Sequence, residues 1–134
     1  MQVGKLGLVM VVVSNMDRSV AFYRDVLGLK LLFHQDNWSQ FDAGQILLGL
    51  HPEGDEVKVS PTTGCTLGIY VDDIVKACSE LKRRGGHIAV DPRPEPFGRW
   101  ALAKDPDGYN IQLVEMKSGF RELHQLDEPA TVAK

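Results

Sequence analysis

Several specialised chemistries are excluded by what this sequence lacks. Only two cysteines occur in 134 residues. Cys65 and Cys78 have no CxxC spacing and no third or fourth cysteine to complete a zinc site. They are expected to be reduced, buried thiols of a cytoplasmic protein. No apolar run approaches the roughly 20 residues of a membrane span, so no membrane association is expected. The opening MQVGKLGLVMVVV has no small-residue cleavage site and reads as a strand rather than a signal peptide. A formal net charge of −3 offers no basic excess for non-specific nucleic-acid binding. Four histidines are present, and none falls in HxH, HxxxH or HxxEH spacing. What remains, 43% apolar and 25% charged residues, suits one modest globular core.

The sequence does contain an internal repeat. LGLVMVVVSNMDRSVAFYRDVLG and CTLGIYVDDIVKACSELKRRG each run from an apolar strand through an Asn or Asp cap and an amphipathic helix to a closing glycine, with Asn15 matching Asp73. In the first helix Met16, Val20, Tyr23 and Leu27 recur at helical spacing before Gly28. In the second, Ile74, Cys78 and Leu81 share a face before Gly85. Three strand-like runs follow each helix, ending in FDAGQILLGLH and KDPDGYNIQLVE. The pattern predicts an α+β fold of two tandem βαβββ modules forming a curved mixed sheet around a cavity, in a single domain. Module one covers about 6–51, a Pro- and Gly-punctuated linker 52–64, module two 65–115, and a tail 116–134. DPRPEPFG, from Asp91 to Gly98, is expected to be a rim loop. A short helix through Phe120, Leu123 and Leu126 is expected in the tail.

The duplicated pattern, with the phrases NMDRSVAFYRDVLGLKL and FGRWALAKDPDGYNIQLVE, resembles the vicinal oxygen chelate superfamily over residues 6–115. That superfamily includes glyoxalase I, bleomycin-resistance proteins, fosfomycin-resistance enzymes, extradiol dioxygenases and methylmalonyl-CoA epimerase. The resemblance implies a cavity lined by one face of each sheet. In metal-dependent members it implies a divalent ion held by His, Gln or Glu from the first and last strands of both modules. Those positions here are Leu8, Leu48 (or Gly49, one residue on), Thr66 and Gln112. Only Gln112 is a usual ligand, so no metal and no other cofactor is expected. Strand parity puts His51 and Glu115 on the face opposite the ligand positions.

By the same parity the cavity is lined by Leu8, Met10, Val12, Leu48, Leu50, Thr66, Gly68, Tyr70, Gln112 and Val114. This is an apolar pocket in which Gln112, Thr66 and Tyr70 can orient a small organic ligand. Trp38, Phe97, Trp100 and Tyr109 are candidates for stacking at its rim. Arg99 is a candidate anion clamp, and His34 in FHQ faces either the cavity or solvent. The DPDG run, Asp105 to Gly108, reads as a turn rather than a catalytic pair.

The resemblance implies a homodimer. It leaves three readings of function, in this order: a metal-free binder like the bleomycin-resistance proteins; a divalent-metal lyase or isomerase like glyoxalase I; and a metal-independent enzyme using Tyr70, His34 or Arg99.

Overall fold

The computed structural model describes residues 2 and 4–118. The expected tail helix lies outside the described residues. The chain divides between Val59 and Ser60 into two compact units.

In the first unit β1 (Leu8–Val13) leads through the Asn15 cap into α1 (Met16–Ala21), which continues as a π-helical turn over Phe22–Val26. Strands β2 (Lys30–Gln35), β3 (Trp38–Asp42) and β4 (Leu47–Pro52) follow. In the second, β5 (Leu67–Tyr70) leads through Asp73 into α2 (Ile74–Arg83), followed by β6 (His87–Glu95), β7 (Gly98–Lys104) and β8 (Asn110–Met116). The sheets have the same topology, β1-β4-β3-β2 and β5-β8-β7-β6. In each, the first strand pairs in parallel with the last, and the other pairs are antiparallel. Both units are therefore βαβββ, and the fold is α+β.

The repeated cap is the local reason that both helices start where they do. The Asn15 side chain accepts from the Arg18 amide at 3.0 Å and Asp73 from the Lys76 amide at 3.1 Å, each satisfying a donor that the first turn leaves unpaired. Both helices end on a left-handed glycine, Gly28 at φ 86° and Gly85 at φ 88°.

The buried side of the first helix differs from the even helical spacing. Leu27 donates its amide to the Phe22 carbonyl five residues back, and this wider turn brings Phe22 and Tyr23 inward together while Met16 and Leu27 stay half-buried. Val20, Val11, Val13, Phe41, Leu48 and Leu50 are buried as well, and the Tyr23 ring lies 6.0 Å from that of Phe41. In α2 the buried residues are Ile74, Cys78 and Leu81, as the spacing predicts. Burial pushes the Cys78 thiol up, whereas Cys65 is exposed rather than buried as expected.

The expected rim loop is mostly strand. DPRPE belongs to β6, which lies at the sheet edge, where the missing N–H groups of Pro92 and Pro94 break no inner ladder. Register shifts between Ile88 and Val90 and between Val90 and Arg93 mark its irregularity.

At the end of α2, hydrogen bonds from Arg83 and Arg84 hold the Glu80 carboxyl down at about 2, from 4.5. A depressed carboxyl favours the fold above its ordinary value, and that contribution fades as it protonates. The last turn of α2 is therefore expected to lose helical circular dichroism as pH falls from 4.5 towards 2, and to do so less in high salt, because the cluster is on the surface.

Candidate functional site

Alternation along the strands gives each sheet a helix-covered face and an open face. In the second unit Ala101, Ala103, Ile111 and Leu113 are buried on the helix side. The intervening residues form two rows across the open face. One row is Gly68, Gln112 and Leu102. The next is Tyr70, Val114, Trp100 and Arg93.

Tyr70 is 49% exposed, and the Trp100 ring is held in place from two directions. Its Nε1 donates to Glu95 at 3.1 Å, and the Arg93 guanidinium stands 5.5 Å from the ring centroid. Gln112 is half-buried, and its carboxamide has no hydrogen bond to another described residue. A Cβ placed on Gly68 would meet nothing within 4 Å, so the sheet is open beside that amide.

Parity reading thus places Gly68, Tyr70, Gln112 and Val114 together. Thr66 precedes β5 and is exposed. Phe97 lies in the turn between β6 and β7, where its carbonyl accepts from the Lys117 amide at 2.8 Å. The Tyr109 hydroxyl accepts from the Ser60 amide at 3.1 Å, and Asp105 closes the DPDG turn by accepting from the Asp107 and Tyr109 amides, both at 2.9 Å.

Arg99 is on the other face. It pairs with Glu115 at 2.8–2.9 Å, and the second carboxylate oxygen of Glu115 accepts from the Ile74 amide at 3.1 Å. This carboxylate joins β7 and β8 to the N-terminus of α2, where negative charge is favourable. The guanidinium is thereby engaged in the fold and is not aimed at the open face.

In the first unit the register corrects the parity reading of β4. Val9 pairs with Leu48 and Val11 with Leu50, so both leucines face the helix, and they are 3% and 0% exposed. Leu47, Gly49 and His51 share the open face with Leu8, Met10 and Val12. Gly49, not Leu48, is therefore the residue in phase with Leu8, and His51 returns to the face from which parity had removed it. Its Nδ1 donates to the Pro52 carbonyl at 2.6 Å.

His34 pairs with Ser39 on the helix side, and its Nε2 lies 3.2 Å from Asp17 of α1. It faces neither the open face nor free solvent alone.

Trp38 covers Gly49 on the first unit's open face. A Cβ on Gly49 would land on its six-membered ring, its Nε1 donates to Gln40 at 3.0 Å, and the His51 ring meets it edge-on at 6.4 Å. Gly49→Ala must displace this indole. It is expected to lower stability by about 1–3 kcal/mol and to shift the Trp38 emission, as read by urea melts and fluorescence.

Under the corrected register the ligand positions of the metal-dependent pattern are Leu8, Gly49, Thr66 and Gln112. Two of these side chains have no donor atom, and a hydroxyl with a neutral amide does not compete with water for a divalent ion. Among the described residues no three His, Cys, Asp or Glu side chains are grouped to hold a metal. The residues present do not fit a metal held in that manner.

What sequence reading missed is the Trp38–Gly49 contact and the contribution of Leu102 and Arg93. The last two follow from Gln112 and Trp100 once the register of β7 against its neighbours is known.

The chain is similar to lactoylglutathione lyase of Neisseria meningitidis serogroup A, with 33% identity over 124 residues covering 80% of this chain and 87% of that protein. It is 31% identical over 125 residues to lactoylglutathione lyase of Salmonella typhimurium, covering 83% and 92%. In structure it is similar to an antibiotic binding protein from Streptomyces sp. CB03234, with TM-score 0.74 and 27% identity, covering 87% of this chain and 99% of that one. The sequence profile of the Glyoxalase/Bleomycin resistance protein/Dioxygenase superfamily matches residues 5–113, and the chain belongs to that superfamily.

Proposed function

We propose that this protein binds a small, planar organic molecule without the help of a metal ion, in the manner of the drug-binding members of its superfamily. One observation carries this reading. Where metal-dependent members need donors the chain has Leu8 and Gly49, which carry none, while the second unit presents an open face with Tyr70, Trp100 and an amide, that of Gln112, to which no described residue is hydrogen-bonded. The structural likeness to an antibiotic binding protein supports it. The second reading, a lyase or isomerase of the glyoxalase I type, is supported by identity above 30% to lactoylglutathione lyases and opposed by the donor set.

Fluorescence of the two tryptophans tests the choice. Protein stripped of metal with EDTA is titrated with two planar compounds, an acridine dye and norharmane. Saturable quenching by at least one, unchanged by the chelator, is expected. Lactoylglutathione lyase activity is expected to stay at background after addition of Ni, Mn, Zn or Fe salts. Turnover that depends on an added metal would establish the second reading.

The same proposal has the chain pair with a second copy. Leu8, Met10 and Phe33 are exposed apolar side chains of the first unit's open face that such a partner would cover. Sedimentation equilibrium is expected to give a dimer, and the Leu8→Lys, Met10→Lys double variant a monomer.

A further inference from the structure

On each open face a glycine and a glutamine lie side by side on neighbouring strands, antiparallel β3 and β4 in the first unit and parallel β5 and β8 in the second. In the first unit Gly49 pairs with Gln40, and in the second Gly68 pairs with Gln112. Among the described residues only the first is filled. There the Trp38 indole lies over the glycine, and its ring N–H donates to the Gln40 amide oxygen at 3.0 Å. The protein thus satisfies one glycine–glutamine pair with a planar heterocycle of its own. The other pair has open space at Gly68 and no hydrogen bond to Gln112 from a described residue.

We propose that the Gly68–Gln112 pair is the recognition point for a free planar heterocycle carrying a ring N–H, held as the protein holds its own indole over Gly49. This inference rests on the small-molecule reading above and names the ligand class and the residues that select it.

Strands in a sheet lie about 4.8 Å apart, so a glycine beside a long side chain leaves a slot one residue wide into which a flat ring can settle. A half-buried carboxamide that a ligand covers without a partner loses its hydration for nothing, so the occupant must supply a complementary polar edge. A ring N–H does this and keeps the rest of the molecule apolar. Tyr70 and Trp100, one row away, offer aromatic surface to that apolar part. The charges beside Trp100, Arg93 and Glu95, are of opposite sign, so nothing there calls for an ionised ligand.

The test compares norharmane, a planar tricycle with an indole N–H, with the form methylated on that indole nitrogen, using the ligand's own fluorescence on the full chain. Norharmane is expected to bind about tenfold more tightly than the methylated form, the loss that one unmade hydrogen bond brings. Gln112→Leu is expected to abolish that discrimination, and Gly68→Leu to abolish binding of both. Circular dichroism reports folding of the variants, and the comparison of the two ligands on unaltered protein does not depend on them. Equal binding of the two compounds, discrimination that survives Gln112→Leu, or binding that survives Gly68→Leu would overturn the proposal while leaving a small-molecule binder in place. Binding of acridine without norharmane would do the same. If none of the compounds binds, the functional reading fails and this inference with it.

Discussion

Gly98→Ala is expected to destabilise the protein by about 3 kcal/mol or more, read as a fall in the urea midpoint. Gly98 opens β7 at φ 151°, a conformation that side-chain-bearing residues rarely adopt. An added Cβ would fall on the Glu115 carbonyl and come within 3.1 Å of the Met116 Cα. Neither obstacle is the flexible end of a side chain. The backbone there is pinned by pairing of Gly98 with Met116 and of Arg99 with Glu115, and by the Lys117 amide on the Phe97 carbonyl at 2.8 Å. Relief of the overlap has to move β7 against β8, the strands that carry Trp100 and Gln112, so ligand binding is expected to weaken as well. An unchanged midpoint would mean that β7 does not approach β8 in this way.

Tyr23→Ala is expected to cost about 3–5 kcal/mol, a large part of the stability of a domain this size. Tyr23 is fully buried, meets Phe22 edge-on at 5.0 Å and Phe41 at 6.0 Å, and so ties the helix to the middle of the first sheet. The π-helical turn makes the comparison with its neighbours informative. Phe22 is 8% exposed, whereas Leu27, which regular helical spacing would put inside, is half-buried. Phe22→Ala is therefore expected to lower the urea midpoint more than Leu27→Ala. The reverse order would show that the helix keeps its regular turn.

The repeat was legible because each of its marks has a local cause. Asn15 and Asp73 cap, Gly28 and Gly85 close, and Asp105 folds the DPDG turn with its own carboxylate. The open face of the second unit was legible because Gln112 sets the phase of an otherwise apolar strand, and Gly68 and Tyr70 follow from it across the register. In LLGL no polar side chain sets the phase, so β4 is read one residue out from sequence, and Leu48, Leu50 and His51 change faces together. The engagement of Arg99 could not be read either, because its partner Glu115 is brought opposite only by the β7–β8 register. The side that His34 takes depends on Asp17 of α1, 3.2 Å from its Nε2, a tertiary contact that the strand's own sequence does not reveal. β6 was hidden by its prolines, which mark a loop in most contexts and an edge strand in this one.

Metal-free binding requires that Leu8, Gly49, Thr66 and Gln112 do not make a metal site. Elemental analysis of untagged protein, stripped with chelator and then dialysed against Ni, Mn, Zn and Fe salts, measures that directly. No stoichiometric retention of any of these ions is the result predicted here. A tightly held ion in stoichiometric amount would contradict it and give the glyoxalase I type of lyase or isomerase the lead.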